Sequence, residues 1–405
     1  MKSRYRKPVS RAIAKITRLR NRLLLPKLLR RMRRLDIGGL SGGNAVRLIT
    51  DGDSCFDSFI RDIRSAKKSI NLETYIFDSD DVGWRIAREL AAKARSGVEV
   101  SCIYDSFGSL RSRGKIFSFM KDAGVELLEY RPLAPWKKFS GFSGRDHRKV
   151  LVVDGKVAYV GGVNISADYA GKKYGGREWR DTHMRIAGPA VRDIQFHFLE
   201  NWFRHGGPVV DTSRHFPDVP AKGNRILMVL STKSRRKIRP IVESYLSAIQ
   251  FAKKSIYITN AYFVPDRRIH HRLVAAAERG VDVRLILPGV SDVPVVKYAS
   301  RYLYRYYLEH GIKVYEYQEK VLHAKTAVID GIWSTVGSSN LDRQSLFINL
   351  ELNAVVLDAA FGAQMEKVFQ KDLEHCVRIS LERYSRRSMS RFFLEWLAYR
   401  FRRFL

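Results

Sequence analysis

Two stretches of the chain carry chemically capable side chains in the same order and at the same spacing. His147, Lys149, Asp154, Gly161 and Asn164 read H-x-K-x4-D-x6-G-x2-N. His323, Lys325, Asp330, Gly337 and Asn340 repeat the pattern 176 residues later. At ordinary residue frequencies, one such five-point match in a chain of this length has a chance probability on the order of 10⁻⁴. Two matches are not an accident.

In an extended strand side chains alternate, so each histidine points the same way as its lysine. Each motif aspartate ends its strand before a turn at Gly155 or Gly331. Each asparagine follows a return strand and a glycine, where amides can approach an anion. Two histidines, two lysines and two asparagines converging on one point suit a phosphodiester. The lysines and asparagines would hold its non-bridging oxygens and offset the charge that grows in the transition state. One histidine would attack phosphorus and form a phosphohistidine. The other would protonate the departing alcohol and then deprotonate the incoming acceptor. Imidazole, with a pKa of about 6.5, suits both tasks, and the scheme requires neither a metal nor another cofactor.

A histidine in such a role keeps one tautomer when a carboxylate holds its other nitrogen. The candidates are Asp181 in REWRDTHMRI and Glu351 in NLELNAVVL, each in the apolar strand after its motif. They lie 34 and 28 residues past the histidines of their own halves, which implies a six-residue insertion around Gly171 to Gly176. Asp154 and Asp330 belong to the catalytic sets by their place in the motif, but a turn or a structural ion pair explains them more simply. Either motif alone would read as a core histidine beside a surface lysine. The matched pair argues against that.

The elements that position these residues follow from periodicity. VRLIT, SINLETYIF, VEVSCIYD and VELLEY read as strands separated by amphipathic helices, and SIYITNAYF, VDVRLILPG and IKVYEY repeat the scheme. AKKSI recurs at 66–70 and 252–256. The expected fold is α/β: two repeats, each a mixed, mostly parallel sheet flanked by helices, packed about a pseudo-twofold axis. The expected divisions are a basic amphipathic membrane-surface segment at 1–40, repeats at 41–218 and 219–378, and a basic amphipathic tail at 379–405. Gly38, Gly39, Gly42 and Gly43 read as a flexible joint. The Tyr-rich stretch KYASRYLYRYYLEHG reads as one helix with a core-facing side.

Hydrophobic content of 45% over 405 residues excludes wholesale disorder, and a formal charge of +32 calls for an anionic partner. Residues 1–35 hold fourteen Lys or Arg and no acid, and 378–405 hold eight Arg against two Glu. Apolar positions from Val9 to Leu35 fall at helical spacing, which suits a membrane interface; a helix packed on the body or a nucleic-acid arm are the other readings. WKKFSGFSGR, just before the first motif, alternates rings with cations and could dip into lipid or pack as a loop. Cys55, Cys102 and Cys376 form neither a disulfide framework nor a zinc pattern. No apolar run reaches the length of about 18 residues that spans a bilayer, and the charged N-terminus does not read as a signal peptide.

The paired HxKxxxxD motifs with G-x2-N downstream resemble the phospholipase D superfamily. That resemblance implies one site at the interface of two α/β repeats, built from His147, Lys149 and Asn164 with His323, Lys325 and Asn340. It implies His147 as nucleophile and structural motif aspartates. Ser338 matches the family's serine after the glycine, another phosphate contact, where the first copy has Gly162. From about Arg47 to Lys371, stretches such as LETYIFDSDDVG, NAYFVP and HRKVLVVDGKVAYVGGVNIS are similar to the bacterial cardiolipin synthase branch, of the short type without transmembrane helices. This implies transfer of a phosphatidyl group from one phosphatidylglycerol to a second phospholipid hydroxyl, with release of glycerol. The implied partner is an anionic phospholipid membrane, with no nucleic acid, and the implied location is the cytoplasmic face of a bacterial inner membrane. Glu73 and Asn260, near the ends of equivalent strands, are candidates for the head-group pocket or for buried structural roles. The alternatives are hydrolysis to phosphatidic acid and a nuclease of the same superfamily. Charge concentrated in amphipathic termini, with no basic groove interleaved with aromatics, speaks against the nuclease.

Overall fold

Segments such as SINLET, with two apolar residues in alternation, and the apolar LNAVVL form strands buried along their whole length, and the amphipathic stretches between strands form helices that cover them. The computed structural model describes residues 39–403 apart from 113, 135, 137–142 and 233–238. The expected Val9–Leu35 helix and most of WKKFSGFSGR therefore lie outside the described residues. Trp136 of that loop is 85% exposed.

The first half runs β1 (Leu40–Ile49), α1 (Gly52–Ser65), β2 (Ser69–Thr74), α2 (Asp81–Arg95), β3 (Glu99–Asp105), α3 (Lys115–Asp122), β4 (Glu126–Tyr130), β5 (Val150–Val153), β6 (Val157–Gly161), β7 (His183–Ala187) and α4 (Val191–Arg204). A short helix, α5 (Thr212–His215), leads to the second half. This runs β8 (Arg225–Ser231), α6 (Pro240–Phe251), β9 (Ser255–Asn260), α7 (Arg267–Glu278), β10 (Asp282–Pro288), α8 (Pro294–Tyr302), α9 (Tyr304–Glu309), β11 (Lys313–Tyr317), β12 (Lys325–Ile329), β13 (Trp333–Gly337), β14 (Leu352–Leu357) and α10 (Ala359–Leu373). The chain closes with β15 (Cys376–Arg378), α11 (Leu381–Ser385) and α12 (Met389–Arg400). Among the described residues aspartates cap five of the helices: Asp51, Asp80, Asp211, Asp266 and Asp358 accept from first-turn backbone amides.

The strand order is β15-β11-β10-β9-β12-β13-β14-β8-β1-β7-β6-β5-β2-β3-β4. Read outward from the central β8–β1 pair, the two halves are the same sheet, and β15 is an addition at one edge. The expectation of a mostly parallel sheet needs correction. Among the described residues only β2–β3, β3–β4, β9–β10 and β10–β11 are parallel. Strands linked through helices pair in parallel, but β5–β6 and β12–β13 are tight hairpins and must be antiparallel.

The Gly-rich joint is also something else. Residues 40–44 are the first part of β1 and pair with β8, while Ala45–Ile49 pair with β7. The register shifts between Ser41 and Asn44. Gly43 turns there with φ +83°, and a Cβ on it would meet Ala221 Cβ at 2.8 Å. The glycines thus make a bulge that hands one strand from sheet to sheet. The Tyr-rich helix is likewise two, α8 and α9, with Tyr304 and Tyr307 in the core.

One core lies beneath α1–α3, around Phe56, Leu72 and Leu151, and another beneath α6–α9, around Tyr245, Leu285 and Trp333. A third joins the inner faces of the halves: Val152, Val160 and Ile186 share a cluster with Leu227, Val328 and Val356. Each such side chain contributes about 1.5–3 kcal/mol on burial. Separating the halves would cost as much as a whole domain's stability of about 5–15 kcal/mol, so they form one body.

Candidate active site

The motif strands begin later than spacing suggested, at Val150 and Lys325. The histidines lie before the ladder because their backbones are held by the opposite half. His147 N–H donates to Leu350 O at 3.0 Å, and His323 N–H to Arg180 O at 2.8 Å. Residues 350 and 180 immediately precede Glu351 and Asp181. The carboxylates cross over in the same way. His147 Nδ1 lies 3.0 Å from Glu351 Oε1, and His323 Nδ1 lies 2.6 Å from Asp181 Oδ2. Gly161 pairs with His183 and Gly337 with Asn353, and each carboxylate stands two residues before that partner, so the two positions are equivalent. Each half orients the histidine of the other. All four side chains are buried.

The surroundings of the two pairs differ. The Ser338 hydroxyl donates to Glu351 Oε2 and accepts from Leu352 N–H at 3.0 Å, so it is engaged by the carboxylate. At the equivalent Gly162 a Cβ would fall 2.2 Å from Asp181 Oδ1. Burial pushes Glu351 up to about 8, with Lys149 offsetting only part of the rise. Burial also acts on Asp181, but the charge and hydrogen bond of His323, with Lys325 behind, hold it below the usual carboxylate range. Burial and the nearby cations Lys149 and Lys325 push His147 well down. His323 is also pushed down, by burial and then by Lys325, against the pull of Asp181.

Lys149 Nζ donates to His147 O at 2.6 Å, and Lys325 Nζ donates to His323 O. An ammonium has three donors, so among the described residues each keeps two that could meet an anion. Burial pushes Lys149 down to about 7 and Lys325 down to about 8. Asn164 donates from Nδ2 to the Tyr169 hydroxyl at 2.7 Å and accepts from Ile76 N–H at 3.1 Å. Asn340 Oδ1 is buried with no hydrogen-bond partner among the described residues.

Asp154 and Asp330 stand at the far ends of their motif strands and take no part in this cluster. Asp154 accepts from the N–H groups of Lys67, Lys68 and Ser69, and Asp330 from those of Lys253, Lys254 and Ser255. The repeated AKKSI supplies both nests. Glu73 lies fully buried in a polar cluster, 2.7 Å from Asn201 Nδ2 and 3.5 Å from Arg148. Asn260 Oδ1 accepts from Leu341 N–H at 3.1 Å and so backs Asn340.

Sequence reasoning passed over the aromatic rings. Tyr75 lies edge-on to His147 at 5.0 Å, and Tyr169, Trp179 and Tyr262 surround His323 at 5.1, 5.9 and 6.4 Å. Tyr75 and Tyr262 stand in LETYIF and NAYFVP, the strand-end stretches that had already drawn notice. Tyr169 and Trp179 lie in the loop lengthened by the six-residue insertion, which contains the turn Lys172–Tyr174.

Comparison with known proteins finds the same duplication. A family model described as "Cardiolipin synthase, PLD-like domain" matches residues 59–175 and again 245–373. A cardiolipin synthase of Geobacillus kaustophilus is 35% identical over 89% of this chain and 72% of its own length. One from Staphylococcus aureus is 35% identical over 86% of this chain and 71% of its own. Among solved structures, a phosphatidylserine synthase of Haemophilus influenzae superposes with a TM-score of 0.68 over 93% of this chain and 97% of its own, at 14% identity, a likeness of fold.

Proposed function

Because the chain belongs to the cardiolipin synthase family of phospholipase D-like proteins, we propose that it joins two phosphatidylglycerol molecules into cardiolipin and releases glycerol at its paired half-sites. It is a phosphatidyltransferase that works on phospholipid at a membrane. The observation that carries the detailed reading is the crossed pairing of His147 with Glu351 and His323 with Asp181. Nδ1 of each ring faces a carboxylate, which leaves Nε2 for the reaction.

In the first step His147 Nε2 attacks phosphorus. A P–N bond forms, the P–O bond to glycerol breaks, and His323 gives its Nε2 proton to the departing oxygen. In the second step the hydroxyl of another phosphatidylglycerol attacks phosphorus. The new P–O bond forms as P–N breaks, and the hydroxyl proton passes to His323. Lys149, Lys325 and Asn340 hold the non-bridging oxygens. Asn164 and Ser338, expected as phosphate contacts, act in this reading through the groups they bind. The motif aspartates act on the fold.

For docking we take the cytoplasmic face of the membrane. Support comes from α12, which exposes Met389, Phe393 at 56%, Trp396, Leu397 and, just past its end, Phe401, with Arg391, Arg400 and Arg403 exposed among them. Phe107 and Val290, each two residues past equivalent strands β3 and β10, are 51% and 42% exposed. Apolar rings bordered by arginine suit an anionic leaflet. Among the described residues no helix is long and apolar enough to cross a membrane. In this reading the tail around α12 faces the membrane, and 41–218 and 219–378 are the two repeats, the first starting one residue earlier, at Leu40 of β1.

The test is mass spectrometry of lipids after the purified protein meets phosphatidylglycerol vesicles, beside His147→Ala and His323→Ala. Cardiolipin and free glycerol from wild type alone are expected. Phosphatidic acid without cardiolipin would replace transfer by hydrolysis.

A further inference from the structure

The two rims of the site differ at a pair of positions that the mechanism above leaves unused. Tyr262 stands two residues past β9 and Asp292 four past β10; at the equivalent places past β2 and β3 the first half has Ile76 and Ser109. The Tyr262 hydroxyl donates to Asp292 Oδ2 at 2.5 Å. The Tyr262 ring lies edge-on to His323, 6.4 Å between centroids, with Lys325 Nζ 5.9 Å from the ring centre. Tyr262 thus spans from the histidine to the carboxylate, and the charge of Asp292 is felt by both His323 and Lys325. In the first half Ser109 serves only the backbone, taking Phe77 N–H at 3.0 Å and giving its proton to Tyr75 O at 3.3 Å.

Asp292 is exposed, and among the described residues Tyr262 is its one hydrogen-bond partner. Its loop is held at both ends: Lys297 Nζ donates to Gly289 O, and Ser291 Oγ accepts from Val293 N–H at 3.1 Å. A fixed carboxylate with one uncommitted oxygen therefore stands at the entrance to the His323 half-site. A carboxylate repels a phosphate and accepts from hydroxyls, so this position suits an alcohol and not the phosphoryl group.

We propose that Tyr262 and Asp292 form the subsite for the alcohol, recognising a vicinal diol. The reacting hydroxyl of a glycerol head group faces His323, and the neighbouring hydroxyl donates to Asp292 Oδ1. The inference rests on the transferase reading, in which His323 is the acid–base. During transfer the acceptor O–P bond forms, the P–N bond to His147 breaks and the acceptor proton goes to His323; Asp292 takes no proton. Water and simple alcohols lack the second hydroxyl, so the subsite favours the lipid diol over both.

Phosphatidylglycerol vesicles with added ethanol give the test, because cardiolipin and phosphatidylethanol then arise from the same phosphohistidine and their ratio is independent of the first step. Asp292→Ala in the full chain is expected to lower the cardiolipin-to-phosphatidylethanol ratio about tenfold, the scale of one hydrogen bond to a charged acceptor. Tyr262→Phe keeps the ring, releases the carboxylate and is expected to lower the ratio less. An unchanged ratio in Asp292→Ala overturns the subsite while leaving the transferase intact. Wild type that makes no phosphatidyl product at all overturns the transferase reading itself.

Discussion

The His147 and His323 half-sites occupy equivalent positions of a duplicated fold, yet their second members differ in a coupled way. Glu351 has one methylene more than Asp181 and is met by the Ser338 hydroxyl, whereas the shorter Asp181 is packed against Gly162, where no side chain fits. Their charges differ as well: burial pushes Glu351 up to about 8, while His323 holds Asp181 below the usual range. An ionised carboxylate stabilises an imidazolium; one pushed toward its neutral form does so weakly. The pairing with Asp181 therefore suits His323 to carry and return a proton, and the pairing with Glu351 suits His147 to stay neutral for attack. Duplication supplied two histidines, and in the proposed mechanism the carboxylates divide the labour between them.

The largest expected effects test that division. Asp181→Asn should lower kcat about 10³–10⁴-fold, because an amide no longer supports the cationic ring. Glu351→Gln should cost less, about 10²-fold. Single-turnover kinetics with radiolabelled phosphatidylglycerol would check both, and equal losses would erase the difference between the halves. Exchanging the companions comes next. Gly162→Ser forces Asp181 aside, and a displacement of that kind costs about 10²-fold in kcat. Ser338→Gly, which makes the second half resemble the first, should cost only about tenfold. If Ser338→Gly proves the worse of the two, the serine acts on substrate and not on Glu351.

The lysines give a smaller contrast, readable by pH. Burial holds Lys149 at about 7 and Lys325 at about 8. In the proposed mechanism each binds phosphate only when charged, so kcat/KM should fall as pH rises above about 7, with Lys149 failing first. A bound phosphate stabilises both charges, so the alkaline limb of kcat should lie higher than that of kcat/KM. Profiles from pH 6 to about 9.5 on mixed micelles would settle the order, and a flat kcat/KM over that range would reject it.

The candidate set was legible in the sequence because each motif is local: a separation of two residues keeps His147 near Lys149 and His323 near Lys325, although the histidines precede the strands β5 and β12. The repeat itself was legible for the same reason. The crossing of Asp181 and Glu351 was not, since it depends on how two sheets close on one another through β1, and the Gly42–Gly43 bulge that steers β1 reads in sequence like an ordinary linker. The parallel bias was overestimated because buried strands look alike whether a helix or a hairpin joins them. Asn164 gave no hint that Tyr169, five residues on in an inserted loop, would occupy its amide.

The smallest effect on activity belongs to the motif aspartates, and it separates the two ends of one motif strand. Both stand at positive φ, 52° for Asp154 and 53° for Asp330, a region asparagine also tolerates. Asparagine keeps one acceptor oxygen and loses the charge, so Asp154→Asn and Asp330→Asn weaken the nests without straining the turn. The nest of Asp330 is the more buried, since the Ser255 N–H it receives is shielded from water while those of Lys67 and Lys68 are exposed. An orphaned buried amide costs about 1–3 kcal/mol and an exposed one finds water, so Asp330→Asn should lower Tm by a few degrees and Asp154→Asn by less. In both, kcat below the transition should stay within about twofold of wild type, because rigid hairpins hold the histidine ends in place. Thermal unfolding and kcat measured on the same samples decide the matter. A hundredfold loss of kcat at unchanged Tm would move these aspartates from the fold into the chemistry.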